Sequence, residues 1–173
     1  MLPEKIAEPA TMNVRIRPLG TERSQLLREY LGLSIFVPPG DAAPAADVVD
    51  RPELACYVAG WGRYGDAAVL ALDEDTGADL GLAWLRLWLE AETGYGFVDR
   101  ATPELAIAVR PEHRGRGIGS CLLDALIDRA SQQHGAVSLS VSADNPAVRL
   151  YQRLGFEVLW RSGDSLTMRK RLR

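Results

Sequence analysis

Apolar and charged residues alternate along VRIRPL (residues 14–19), a period of two that predicts a half-buried strand. The next stretch, TERSQLLREYLGLSIF, changes to leucines at helical spacing behind Thr21, which stands where a helix N-cap is expected. VPPGDAAPAAD (37–47) has no periodicity, and its Pro, Ala and Gly predict a flexible surface loop too short for an interdomain linker. RPELACYVAGWGR predicts a second helix with Pro52 in its first turn. AAVLALDED and LGLAWLRLW are apolar runs separated by TGAD, the signature of a β-hairpin. ELAIAV (104–109) is almost wholly apolar and predicts a strand buried on both faces.

Downstream, IGSCLLDALIDRASQQHG puts Ile118, Cys121, Leu122, Ala125, Leu126 and Arg129 at helical spacing and ends near Gly135, and VSLSVS follows as a strand. A crossover helix between two strands makes them parallel neighbours. NPAVRLYQRLGF predicts a short helix ended by Gly155, and EVLWRS with SLTMRKRL predicts a closing hairpin around Gly163 and Asp164. The fold class is therefore α/β, with no internal repeat.

With 173 residues, 47% of them hydrophobic, the chain fits a single domain spanning 1–173. A formal charge of −3 gives no global attraction to nucleic acid or to an anionic membrane, so neither is expected as a partner. The basic MRKRLR tail predicts a terminal strand with a solvated face, since six residues make a small nucleic-acid footprint. Cys56 and Cys121 lie far apart without metal-ligand spacing and are expected to be buried free thiols in a reducing compartment. The N-terminus has no apolar stretch of signal-peptide length, and nowhere do about 18 uncharged apolar residues run together, which predicts a cytoplasmic protein. No metal site is expected.

The chemistry concentrates in ELAIAVRPEHRGRGIG (104–119), where three glycines fall within five residues beside Arg114 and Arg116. A glycine-rich approach to a helix N-terminus is an anion site, most often for phosphate. A P-loop needs a lysine, and none lies between Lys5 and Lys170. A dinucleotide fingerprint needs GxGxxG, whereas GRGIGS has Ser120 in the last position and sits late in the chain, with Asp144 only weakly imitating the ribose acid. Glycines serving a tight turn alone leave the two arginines unexplained.

VRPEHRGRGIG resembles the acetyl-CoA pyrophosphate loop of the GNAT superfamily of N-acetyltransferases, with its Arg/Gln-x-x-Gly-x-Gly/Ala pattern on Arg114, Gly117 and Gly119. DNPAVRLYQRLGFE resembles that family's later motif, an Asn before a Leu-Tyr pair with a closing Gly-Phe. The two together cover roughly residues 104–157, the expected coenzyme core. WGRYGD, GYGFVD and PELAIAV resemble segments of a bacterial branch of the superfamily, which supports membership and names no substrate. The resemblance implies a mixed central sheet of about six to seven strands flanked by helices, with the parallel strand pair forming the coenzyme cleft.

It further implies acetyl-CoA as cosubstrate and direct transfer of the acetyl group to a primary amine, carried by a small molecule or a peptide. The N–H groups of Gly115, Arg116, Gly117, Ile118, Gly119 and Ser120 would take the pyrophosphate, helped by the Arg114 and Arg116 side chains. The strand edge at Ile107, Ala108 and Val109 would pair with the pantetheine arm, with an oxyanion donor near Val109. Asn145 would bond the pantetheine, and it is equally placed to cap the helix after it. Tyr151 would protonate the departing sulfur; on composition alone it is a packing residue.

Glu104 is the first candidate for the base, with a solvated strand-end carboxylate or a helix-facing salt bridge as the alternative. Asp99, Glu90 and Glu92 follow. His113 and His134 are expected to face solvent. The strand VSLSVS has no carboxylate, unlike some family members that acetylate protein N-termini. Tyr95, Phe97, Trp61 and Trp84 would line an aromatic acceptor cleft or belong to the core. A non-catalytic acyl-CoA sensor is the rival reading, and a homodimer is compatible with the family.

Overall fold

The computed structural model describes residues 12–89 and 92–172, so the expectations for the N-terminus before Met12 and for Glu90 lie outside it. Seven strands form one mixed sheet in the order β1-β2-β3-β4-β5-β7-β6. β1 (Val14–Pro18) pairs antiparallel with β2 (Ala67–Asp73), which forms a hairpin with β3 (Asp79–Arg86). In the intervening turn the Asp73 carboxylate accepts from the Asp75 and Thr76 N–H groups, and Gly77 takes a φ of 73°. β3 is buried at every position from Leu80 to Arg86, as a central Leu- and Trp-rich strand should be. β4 (Glu104–Val109) continues the antiparallel set.

β4 and β5 (Ala136–Ser142) are parallel, as expected of strands joined by a crossover helix, yet their ladder has one register pair, Glu104↔Ser138. Beyond it the strands part. The gap explains why Ala106, Ile107 and Val109 are only half-buried where burial on both faces was expected. β5 pairs along its whole length with β7 (Ser165–Arg171), and β6 (Glu157–Ser162) completes the closing hairpin at the sheet edge. The basic tail is thus a terminal strand, turned at Gly163.

Helix α1 (Leu26–Ser34) packs on one face with Leu27, Tyr30 and Leu31 against Trp84 and Trp88. Helices α3 (Ile118–Ser131) and α4 (Ala147–Arg153) cover the other face, with Leu122, Leu126 and Tyr151 against Leu139 and Met168. The α3 stripe centres on Ile118, Leu122, Leu123, Leu126 and Ala130, which leaves Cys121 and Arg129 exposed.

Several expectations need correction. Cys121 is therefore not buried and Cys56 is only half-buried; both thiols are free. Thr21 opens a separate 3-10 turn (Thr21–Arg23) and its side chain makes no cap bond; α1 begins five residues later. The helix expected from Pro52 is the single turn α2 (Pro52–Ala55), because Gly60 and Gly62 take left-handed φ values of 58° and 98° that end helical winding. The loop expected over 37–47 is exposed from residue 38 and ends at 45, where a 3-10 turn, Ala46–Asp50, begins. Among the described residues no helix is long and apolar enough to cross a membrane, and no group of three or more His, Cys, Asp or Glu is placed to hold a metal ion.

Candidate active site

After β4 the chain makes a 3-10 turn, Pro111–His113, then passes through Gly115 and Gly117 at φ 73° and 81° into the first turn of α3. Only glycine adopts such angles without a penalty of about 1–2 kcal/mol. The first bond of the helix runs from Cys121 N–H to the Gly117 carbonyl, and no N–H from Gly115 to Ser120 has an acceptor among the described residues. A Cβ placed on Gly115 or Gly117 would meet nothing within 4 Å, so these donors open outward. They form a row of unused N–H groups at the positive end of a helix dipole. Gly119 differs: its φ is ordinary and a Cβ there would rest 3.7 Å from Leu150 and 3.8 Å from Val109. Helix α3, the end of β4 and helix α4 therefore converge at one point.

The β4 main chain serves two partners in alternation. Arg110 N–H donates to the Leu80 carbonyl, in register with Gly81↔Val109. By the alternation of an antiparallel ladder, Ala106 and Ala108 direct their backbone groups to β3, and Ile107 and Val109 direct theirs into the gap toward β5. Ala108, expected beside them, spends its main chain on β3 and its methyl on the α1-side core. The Val109 carbonyl already accepts from Arg114 Nε at 3.1 Å, which folds Arg114 back along the gap. Arg116 is exposed.

Asn145 performs the capping role, its Oδ1 accepting from Ala147 N–H at 2.9 Å. The Tyr151 ring is buried edge-on against Phe156, its hydroxyl makes no hydrogen bond among the described residues, and burial pushes its pKa up to about 12. It stays protonated at neutral pH.

Glu104 is neither solvated nor salt-bridged. The residue is 2% exposed. Its Oε1 accepts from Tyr57 hydroxyl at 2.6 Å and Gly96 N–H at 2.8 Å, and its Oε2 from Trp88 Nε1 at 2.8 Å. Glycine is required in the covering segment, because a Cβ at Gly94 would lie 2.3 Å from Oε2 and one at Gly96 2.5 Å from the Leu139 carbonyl carbon. Burial raises the carboxyl pKa, and the three donors only partly oppose it. A folded pKa above the ordinary value of about 4.3 means that the folded state holds a proton the unfolded chain has lost. This contribution is complete below that value and is lost as pH rises through the folded pKa. Glu104→Gln has no such titration, so its melting temperature relative to wild type should climb as pH rises above ~4 and through the folded pKa. A flat difference across that range would show that the pKa is not raised.

The other carboxylates are engaged at the surface: Asp99 caps Ala101 N–H and Glu92 pairs with Arg63 at 2.7 Å. His113 and His134 are half-buried instead of facing solvent, and His113 Nδ1 is enclosed without a partner. Trp84 belongs to the core, Trp61 and Phe97 are half-buried beside it, and Tyr95 is 59% exposed. Two polar clusters have no signal in the sequence. Arg110 bonds Asp79 and Glu29, and Asp79 also accepts from Tyr30 hydroxyl at 2.7 Å. Arg86 and Asp66 form an ion pair at 3.3 Å whose side chains are each 1% exposed.

An Acetyltransferase (GNAT) domain model matches residues 65–158, more than half the chain, and the chain belongs to the GNAT acetyltransferase family. The L-methionine sulfoximine/L-methionine sulfone acetyltransferase of Pseudomonas aeruginosa is 38% identical over 92 residues, 52% of this chain and 51% of that protein. The mycothiol acetyltransferase of Mycolicibacterium vanbaalenii is 41% identical over 101 residues, 54% of this chain and 31% of that protein. The chain thus spans about half the length, or less, of these curated relatives. The yncA structure from Salmonella typhimurium, solved with its cofactor acetyl-CoA, superposes with a TM-score of 0.65 at 25% identity, covering 93% of this chain and 95% of the other. Its fold matches the seven-stranded mixed sheet with the β4–β5 parallel pair.

Proposed function

We propose that the protein is an N-acetyltransferase that moves an acetyl group from acetyl-CoA to the primary amine of a small molecule, working in the cytoplasm as a single domain. The observation that carries this reading is the row of unused N–H groups from Gly115 to Ser120, opening beside the gap between β4 and β5. Arg114 and Arg116 would add charge-assisted bonds to phosphate. Ile107 and Val109 would pair through their gap-facing main chain with the pantetheine arm, and the unused Nδ2 of Asn145 would reach it while its Oδ1 keeps the cap. Acetyl-CoA supplies an activated acyl group whose carbonyl carbon accepts the amine directly.

The chain's own work is position and polarity. A main-chain N–H near Val109 would stabilise negative charge growing on the acyl oxygen. Glu104 is the terminal proton acceptor for the amine. Tyr151 holds its proton in an apolar setting and donates it to the departing sulfur. The relatives' named substrates point to amines on small polar molecules, with methionine sulfone the first to assay.

A thermal-shift and turnover panel tests the reading. Acetyl-CoA at 100 times its Kd should stabilise the fold by about 2.7 kcal/mol. Stabilisation by NAD and not by acetyl-CoA overturns the assignment, and coenzyme binding without turnover of any amine makes the protein a sensor. Tyr151→Phe removes only a hydroxyl without a protein partner, so it should keep fold and coenzyme affinity yet lower kcat on the order of 10²-fold. Full kcat in that variant, with chemistry rate-limiting, returns Tyr151 to a packing role.

A further inference from the structure

The basic tail carries one arginine that the fold leaves without a partner. Among the described residues four arginines are not exposed, and Arg63, Arg86 and Arg110 each meet a carboxylate, at Glu92, Asp66 and Asp79. The fourth, Arg169 in β7, is half-buried and makes no hydrogen bond or ion pair with any described residue. A guanidinium drawn partly out of water is normally paired, because its donors are costly to leave unmet.

Strand register fixes where Arg169 stands. Glu104 on β4 is level with Ser138 on β5, and Ser138 with Arg169 on β7, so the three side chains form one row across the sheet, on the face that carries α1. Neighbouring strands lie about 4.8 Å apart, which puts Arg169 one strand beyond the β5 wall of the gap, at its closed end. Ser138 Oγ, between the other two, is buried without a partner, a second polar group in the row that the protein does not satisfy. Glu157, level with Arg169 on β6, is exposed and forms no ion pair with it.

The Arg169 end of this row is open to solvent. Helix α1 packs over β3 and β4, and the Gly94–Gly96 cover lies against β5 at Leu139 and Ser140. Beyond that cover Arg169 is only half-buried, and Trp160, paired with Thr167 on the same face, is 45% exposed. The glycine loop opens α3 on the opposite face, so a molecule resting on Arg169 meets the coenzyme across the gap. That is the side from which an acceptor approaches.

We infer that Arg169 is a specificity-determining residue that holds a carboxylate of the acceptor, so that the substrates are amines bearing a carboxylate a few bonds from the nitrogen. The planar fork of arginine matches the two oxygens of a carboxylate. One strand spacing from the gap is a short reach, which selects against amines whose carboxylate is remote. The inference rests on the acetyltransferase reading and adds to it the residue that chooses the acceptor.

A pair of acceptors that differ only in the carboxylate tests it: L-methionine sulfone and 3-(methylsulfonyl)propan-1-amine, or any other amine of the panel with its decarboxylated analogue. Wild-type protein should favour the carboxylated member on the order of 10²-fold in kcat/KM. Arg169→Gln should abolish that preference by raising KM for the carboxylated acceptor about 10²-fold while leaving the decarboxylated one within a few-fold. Arg169→Lys, which keeps the charge and loses the fork, should fall between the two. Acetyl-CoA affinity and melting temperature should hold in all variants, because Arg169 has no partner within the described residues to lose; Arg169→Met replaces the glutamine variant if that one does not fold.

Equal turnover of both acceptors by wild-type protein, or activity confined to amines without an anionic group, overturns the inference and leaves the acetyltransferase reading standing. A preference that persists in a folded neutral variant overturns it too, since the carboxylate is then held elsewhere. Equal loss on both acceptors shows that Arg169 shapes the site without reading the carboxylate. Wild-type protein that binds acetyl-CoA and acetylates no amine in the panel removes the enzyme reading and this inference with it.

Discussion

Gly117→Val should bind acetyl-CoA on the order of 10³-fold more weakly than wild type while remaining folded. Two effects combine. Gly117 sits at φ 81°, where a β-branched residue carries strain of about 1–2 kcal/mol, a tolerable fraction of a typical domain stability of about 5–15 kcal/mol. The larger effect is on the ligand. The protein leaves the space above Gly117 empty, so nothing excludes the new side chain from the path to the N–H row. Losing two charge-assisted bonds, each worth roughly 1.5–3 kcal/mol, gives the stated change in Kd. Gly119→Ala is the informative contrast: its Cβ makes ordinary contacts at 3.7 and 3.8 Å, so affinity should stay within a few-fold. Isothermal titration of both variants decides, and a folded Gly117→Val that binds normally would reduce the loop to a turn.

Asp66→Ala should cost about 3–5 kcal/mol of stability, the usual result of stranding one member of a buried ion pair. Asp66 Oδ2 accepts from Arg86 Nη1 at 3.3 Å and from the Gly62 and Arg63 N–H groups at 3.0 and 3.2 Å. Removing it leaves the Arg86 guanidinium buried with the Ala59 carbonyl as an acceptor but no counter-charge in contact among the described residues, and its Nε already has no partner there. It also frees the loop from Gly60 to Asp66. For a chain of this size the loss corresponds to a fall in melting temperature of roughly 10 °C. Replacing both residues, as Asp66→Leu with Arg86→Met, should recover much of the loss because no charge then needs a partner. Calorimetry checks both, and an Asp66→Ala protein melting within about 2 °C of wild type would show that water reaches the pair.

The glycine turn into α3 and the strand pair around it were legible because their information is local. Gly115 and Gly117 are demanded by backbone angles within five residues of the helix they introduce, and periodicity identified ELAIAV and VSLSVS as strands joined by that helix. The surroundings of Glu104 were not legible. Tyr57 and Trp88 reach it from 47 and 16 positions away, and a chain read in order has no signal for which carboxylate a distant phenol will meet. The Arg86–Asp66 pair was hidden for a related reason. Charged residues read as solvated, and only the closing of the Gly60–Asp66 loop over β3 puts both underneath. Cys121 was misplaced by one helical position, since the width of an apolar stripe is visible in sequence but its centre depends on what packs against it.

The sheet separates two apolar clusters that share no residue, one beneath α3 and α4 and the other beneath α1. The separation is a form of modularity. A change of volume at Leu27 or Leu31 presses on Trp84 and Trp88, and the strand backbones lie between it and the packing that orients α3. The family match begins at residue 65 and so omits α1 and α2. A descendant, or an engineer, can therefore rewrite the α1 face while the packing beneath α3 and α4 is inherited intact.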